Sequence, residues 1–174
     1  MLRRFVILLL AVLPLAAAAQ SAPSTSVGTP RLGIDYEVLA TPIATFRNTP
    51  GKVEVVEVFS YACIHCAHFE PLLSQWQAKK MPKGARLELV PTAFGGVGDN
   101  FARAYYAAEA LGVLASTHDD LFRAVHEERQ FQTGSLDEIA DYFAKQGVDR
   151  SKFLAAMTSP ETDAKLDKVR EFTM

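Results

Sequence analysis

Hydrophobic and polar positions along this 174-residue chain fall into successive regimes. An uninterrupted apolar run covers 5–15, and residues 20–33, rich in Ser, Thr and Pro, show no period and read as a flexible leader. Residues 36–39 suit a short strand before Pro42, and Asn48-Thr49-Pro50-Gly51 is a turn signal. The segment 53–59 is β-branched and almost uniformly apolar, the pattern of a strand buried on both faces. A helix is predicted over 64–79, with Cys66, Phe69, Leu72, Leu73 and Trp76 on its apolar face and Pro71 inside it. Residues 86–90 then read as a second strand. If parallel neighbours, the two strands need a right-handed crossover.

After the loop Phe94-Gly95-Gly96-Val97-Gly98 the hydrophobic period changes from two to about 3.6. Phe101, Ala104, Tyr105, Ala108 and Leu111 form one helical stripe, and Leu121, Phe122 and Val125 a second. Ser135-Leu136-Asp137-Glu138 is a capping box opening a third helix that ends at Gly147. Phe153, Leu154 and Met157 suggest a short fourth, and Ser159-Pro160 the N-cap and first residue of a fifth. The glycine loop lacks both the Lys-Ser/Thr of a phosphate-binding loop and the G-x-G-x-x-G spacing, so it reads as a connection.

Charge and composition narrow the setting. Arg3 and Arg4 precede the apolar run and Ala17-Ala18-Ala19 follows it, so 1–19 reads as a secretory signal peptide, too short for comfort as a membrane span. No stable membrane insertion is expected after cleavage. Removing Arg3 and Arg4 from the 18 basic residues leaves 16 against 20 acidic ones, a net charge of −4. With no basic stripe, nucleic acid is not an expected partner.

Export places the chain where disulfides persist, and its two cysteines are Cys63 and Cys66. A bridge between them closes almost no loop, so it is a poor staple and a good reagent. Thiol-disulfide exchange needs one accessible thiolate and a second thiol near enough to resolve the mixed disulfide. At the predicted helix start, Cys63 would face unpaired backbone N–H groups and the positive end of the helix dipole, while Cys66 lies one turn further in. His65 can add charge or a donor and lower the Cys63 pKa further. Across such proteins the attacking cysteine ranges from a pKa of about 3.5 to about 7. Those roughly 3 units are worth about 4 kcal/mol, or about 90 mV, most of the gap of about 150 mV between oxidant and reductant. A Cys-x-His-Cys pair therefore favours a donor of disulfides. Glu57, six residues before Cys63, is expected beneath the helix start with a raised pKa, where it would take and return the proton of Cys66; the alternative is a solvated carboxylate on a partly exposed strand. Structural zinc would need four ligands, and there is no second cysteine pair; His118 and His126, eight apart, suggest no ligand pair, and His68 reads as packed or solvated. No metal or other cofactor is expected.

The stretch Val55-Val56-Glu57-Val58-Phe59-Ser60-Tyr61-Ala62-Cys63-Ile64-His65-Cys66-Ala67-His68-Phe69-Glu70 resembles the active-site segment of bacterial DsbA-type thiol:disulfide interchange proteins. The resemblance covers roughly 34–174 and implies an α/β, thioredoxin-like fold with an inserted helical domain: 34–96 as the thioredoxin-like portion with the active site, 97–174 as the helical insertion and the start of the returning helix. It implies Cys63 as attacking cysteine, Cys66 as resolving cysteine, His65 as thiolate stabiliser and Glu57 as the buried carboxylate. The implied role is oxidation of reduced, unfolded exported proteins in the periplasm, with reoxidation by a quinone-linked membrane partner of the DsbB type.

Two departures qualify it. Ile64 stands where the family most often has proline, which bears on the redox potential. After Pro91 the next proline is Pro160, a helix start, so the family's cis-proline loop and C-terminal strands are expected to be missing. Such a chain would oxidise small thiols but refold proteins poorly, and would tend to self-associate through an open sheet edge. The competing readings are a disulfide isomerase or reductase, and an inactive module that only binds unfolded chains.

Overall fold

Val53–Phe59 (β1) and Ala85–Pro91 (β2) pair in parallel, from Val53 opposite Ala85 to Phe59 opposite Pro91. Their connection is the helix Ile64–Lys79 (α1), which contains Pro71. This arrangement comes from a computed structural model that describes residues 28–174. The segment read as a signal peptide, and residues 20–27 of the leader, lie outside the described residues. Ile43–Met174 forms one unit and the residues up to Pro42 another.

The helical half follows the periodicity closely. Val97–Ala110 (α2), Leu114–His126 (α3), Leu136–Lys145 (α4), Arg150–Met157 (α5) and Pro160–Thr173 (α6) succeed one another after β2. Ser135 caps α4 by accepting the Glu138 N–H, and Ser159 caps α6 by accepting the Thr162 N–H. The capping box is completed differently from the usual form, because the Glu138 carboxylate accepts the N–H groups of Gln132, Thr133 and Gly134 and orders the loop before α4. The core is one continuous cluster in which Phe59 and Tyr61 from the β1 side meet Phe101, Tyr105 and Phe122 from α2 and α3.

Three expectations fail locally. Residues 36–39 form no strand; Tyr36 makes only an isolated bridge to Leu32 across a turn in which Gly33 has φ +79°. There is no partner strand there to reward extension. Uniform burial of β1 does not hold either: Val53 and Val58 are 68% and 45% exposed. Among the described residues β1 has β2 as its one neighbour, so an apolar composition does not bring burial on both faces. On α1, Phe69 and Leu72 face solvent, and the helix buries Glu70 and Leu73 instead. Cys66, Glu70 and Leu73 follow an i, i+4, i+7 spacing, so the inward stripe carries a carboxylate that side-chain partners satisfy.

A strap before β1 ties distant parts of this unit together. Glu54 on β1 accepts the backbone N–H groups of Phe46 and Arg47. Arg47 pairs with Glu88 on β2 at 2.7 Å and with Glu109 on α2 at 2.6 Å. From α6, Lys168 donates to the Phe46 carbonyl at 2.7 Å, and the rings of Phe46 and Phe172 meet edge to face at 5.1 Å. No helix among the described residues is long and apolar enough to cross a membrane.

Candidate active site

Cys63 is the N-cap of α1, with extended backbone angles of φ −95° and ψ 113°. Its own N–H donates to the Ser60 carbonyl at 3.0 Å, and the Ala62 N–H donates to Ser60 Oγ, so a tight turn carries the chain from β1 into the helix. This places the Cys63 sulfur against the unpaired donors of the first turn, where a thiolate is stabilised. The Cys66 thiol first, then the backbone N–H groups of Cys66 and His65, hold the Cys63 pKa below the usual thiol value. Cys66 moves the opposite way: burial pushes its thiol up, the Ser60 backbone opposes this, and the neighbouring Cys63 and the charge of Glu57 add to the rise. Both residues are partly accessible thiols here.

His65 is exposed in the first helical turn, and what reaches Cys63 from it is the backbone N–H rather than the imidazole. Glu57 is half-buried, and its Oε2 is fully enclosed without a hydrogen-bond partner. Burial, reinforced by the charge of Glu70 and opposed by His118, raises its pKa to about 7. Glu57 is close enough to Cys66 for its charge to raise the thiol's pKa. Cys63 and Cys66 likewise act on each other. His68 stays exposed on α1 and lines a groove with Ile64, Ala67, Pro71, Phe122 and His126.

The structure adds residues that the sequence reading passed over. Tyr61, two positions before Cys63, is buried and held twice by α3: its hydroxyl lies 2.5 Å from His118 Nδ1, and its carbonyl accepts from His126 Nε2 at 2.8 Å. His118 Nε2 faces Glu70 Oε2 at 3.4 Å, and the other Glu70 oxygen accepts the Ser74 hydroxyl at 2.7 Å. With Asp119, these carboxylates and the imidazole bring one donor atom each to within 4.8 Å of one another. Glu70 and His118 are already partnered by protein groups, and their pairing holds the Glu70 carboxyl below the usual range despite burial. Helical spacing held the signal for both: His118 precedes Leu121, Phe122 and Val125 by three, four and seven residues, inside the apolar stripe, and Glu70 follows Cys66 by four.

A family model described as thioredoxin matches residues 48–172. The thiol:disulfide interchange protein DsbA of Azotobacter vinelandii is 32% identical over 158 residues, covering 91% of this chain and 72% of that protein. The chain belongs to the DsbA-type proteins of the thioredoxin family. Another member, DsbA of Pseudomonas aeruginosa, is 33% identical over 142 residues, which are 82% of this chain and 65% of that relative's length. The crystal structure of the DsbA oxidoreductase from Xylella fastidiosa superposes with a TM-score of 0.67 at 42% identity, covering 74% of this chain and 67% of that one. The thioredoxin-like fold expected from the DsbA-type segment is therefore present.

Proposed function

We propose that this DsbA-type chain is a thiol:disulfide oxidoreductase that donates disulfides to exported proteins. The observation that carries the reading is the opposite displacement of two neighbouring thiols, Cys63 downward at the helix N-cap and Cys66 upward one turn in. In the oxidised protein a substrate thiolate attacks the Cys63 sulfur, the Cys63–Cys66 bond breaks, and Cys66 leaves and takes up a proton. A second substrate thiolate then attacks the substrate sulfur of the mixed disulfide, forming the substrate's disulfide and releasing Cys63 as a stabilised thiolate. Two electrons pass from substrate to the cysteine pair. Glu57 is the proton source and sink for Cys66, and the His65 N–H supports the Cys63 thiolate.

The setting proposed is the periplasm, reached through the signal-like segment 1–19, with reduced, unfolded exported proteins as substrates and a quinone-linked membrane oxidase of the DsbB type restoring the disulfide. The names of the relatives and the N-terminal sequence pattern support this. The test is oxidative refolding of a reduced, unfolded protein by the oxidised chain. Stoichiometric disulfide transfer is expected, and it is lost in both Cys63→Ser and Cys66→Ser, neither of which can hold the disulfide that is donated. Transfer that survives Cys63→Ser would overturn the assignment.

A further inference from the structure

On the inner side of α1, Glu70 and His118 lie buried in the neighbourhood of Glu57. Glu57 lies on the same face of β1 as Phe59, whose ring meets the His118 ring edge to face at 5.4 Å. Its cross-strand partner on β2, Leu89, lines a cleft together with Glu70, Ser74, His118 and Asp119. The titratable groups of this region come from several elements. From α1 come Cys66 and Glu70; from α3 comes His118, with exposed Asp119 beside it; from the turn comes the Tyr61 hydroxyl; and from α2 comes Tyr105, whose ring is 6.2 Å from that of His118. His118 is the one basic side chain of the set, only 7% exposed; its Nδ1 meets the Tyr61 hydroxyl, and its Nε2 faces Glu70 Oε2 at 3.4 Å without a hydrogen bond.

We propose that His118, clamped between Tyr61 and Glu70, is a positioning residue for the thiol-disulfide step: with Glu70 it sets how readily Glu57 takes and returns the proton of Cys66. The inference rests on the function proposed above and extends it to a residue on α3 that touches neither sulfur. The physical basis is that Glu57 has an enclosed oxygen with no hydrogen-bond partner, so burial raises its proton affinity and the nearby charges adjust it further. Glu70 disfavours its carboxylate and His118 favours it. Tyr61 matters because its contact with Nδ1 fixes which imidazole nitrogen faces Glu70. The same tyrosine lies two residues before Cys63, so the clamp also anchors the turn that presents the attacking sulfur.

The experiment is a carbon-13 NMR titration of the Glu57 carboxyl in the reduced chain, assigned with Glu57→Gln and read from pH 4 to 9. The wild-type midpoint should lie near 7. His118→Gln should raise it, and Glu70→Gln should lower it, each by about one pH unit. Tyr61→Phe, which removes one oxygen, should move it in the His118→Gln direction by less. Thermal melts accompany each titration, because a purely structural role would lower the melting temperature and leave the Glu57 midpoint in place; that result overturns the proposal. If His118→Gln does not fold, Glu70→Gln and Tyr61→Phe decide alone, and an unmoved midpoint in both overturns it. The pH profile for Cys66 attack on a Cys63–glutathione mixed disulfide should shift with the Glu57 midpoint, and a profile that stays fixed while the midpoint moves also overturns it. The titration needs no turnover, so a chain inactive in refolding would count against the proposed function without deciding this one.

Discussion

Cys63 and Cys66 are displaced in opposite directions: the neighbouring Cys66 thiol is the largest influence lowering Cys63, whereas burial first, and Cys63 after it, raises Cys66. The helix start does the rest, since Cys63 meets its donors and Cys66 is already inside the first turn. Alkylation of the reduced protein should accordingly show Cys63 reacting with a midpoint below the free-thiol value of about 8.5, and Cys66 with one above it. Equal midpoints would remove the basis for assigning separate roles.

The depressed pKa of Cys63 carries a stability consequence. Because the folded state favours the thiolate, its contribution is full above the unfolded value of about 8.5 and is lost as pH falls through the folded pKa. The stability of the reduced wild type relative to reduced Cys63→Ser should therefore rise between acid and alkaline pH. Denaturant melts across that range measure it, and a difference that falls with pH would contradict the assignment.

Glu57 has the opposite sign. Its carboxyl is raised to about 7 by burial first and by Glu70 second, so its contribution to folding is full below the unfolded value of about 4.3 and lost as pH rises through the folded pKa. Glu57→Gln should stabilise the reduced chain at pH 8 by about 1–2 kcal/mol, the raw shift being roughly halved for solvent access, and should leave stability near pH 4 unchanged. The same variant should slow attack by Cys66. Urea melts at the two pH values separate this from a change in packing, which would appear at both.

Two phenylalanines on either side of the active-site turn should behave very differently. Phe59 is 1% exposed and touches Tyr61, Tyr105, His118 and Phe122, so Phe59→Ala should cost about 3–5 kcal/mol. Phe69 is 48% exposed on the outer face of α1, and Phe69→Ala should change stability by no more than about 0.5 kcal/mol. Comparable losses at both positions would mean that α1 faces the core as its apolar residues alone suggested.

That contrast shows where the sequence was legible. β1, α1, β2 and the helices that follow were readable because each follows from a local rule: spacing, period or cap. The orientation of α1 was not, because a count of apolar positions favours Phe69 and Leu72, whereas Glu70 is buried by partners on Ser74 and on α3, far away in the chain. His118 was hidden for the same reason. It was weighed as a metal ligand, when its place in the α3 stripe pointed inward to Tyr61. The strand expected at 36–39 depended on a partner that local composition cannot reveal.

Loop order before α4 should depend on a single carboxylate. The N–H groups of Gln132 and Thr133 hold Glu138 at a pKa of about 2, and those of Gly134 and the Thr133 hydroxyl add to this. Its contribution is full above about 4.3 and is lost as pH falls toward 2. Glu138→Gln should speed amide hydrogen exchange at 132–134 at pH 7, and Ser135→Ala should cost about 1 kcal/mol by removing the cap. Unchanged exchange in Glu138→Gln would show that the loop is ordered by other contacts.

The strap at Phe46 and Arg47 has a consequence in time as well as in space. Its contact with Lys168 joins residues 122 positions apart, and Phe172 closes on the same ring. Bringing such distant segments together is entropically slow compared with forming the helices between them. During synthesis, the strap therefore appears before the helices it contacts and is among the last segments to be satisfied. The contacts of α6 with the strap form only once α6 has arrived, whereas the turn bearing Cys63 needs its own hydrogen bonds and the two α3 histidines, which precede α6 in the chain. A chain built this way can present its reactive sulfur before its fold is finished.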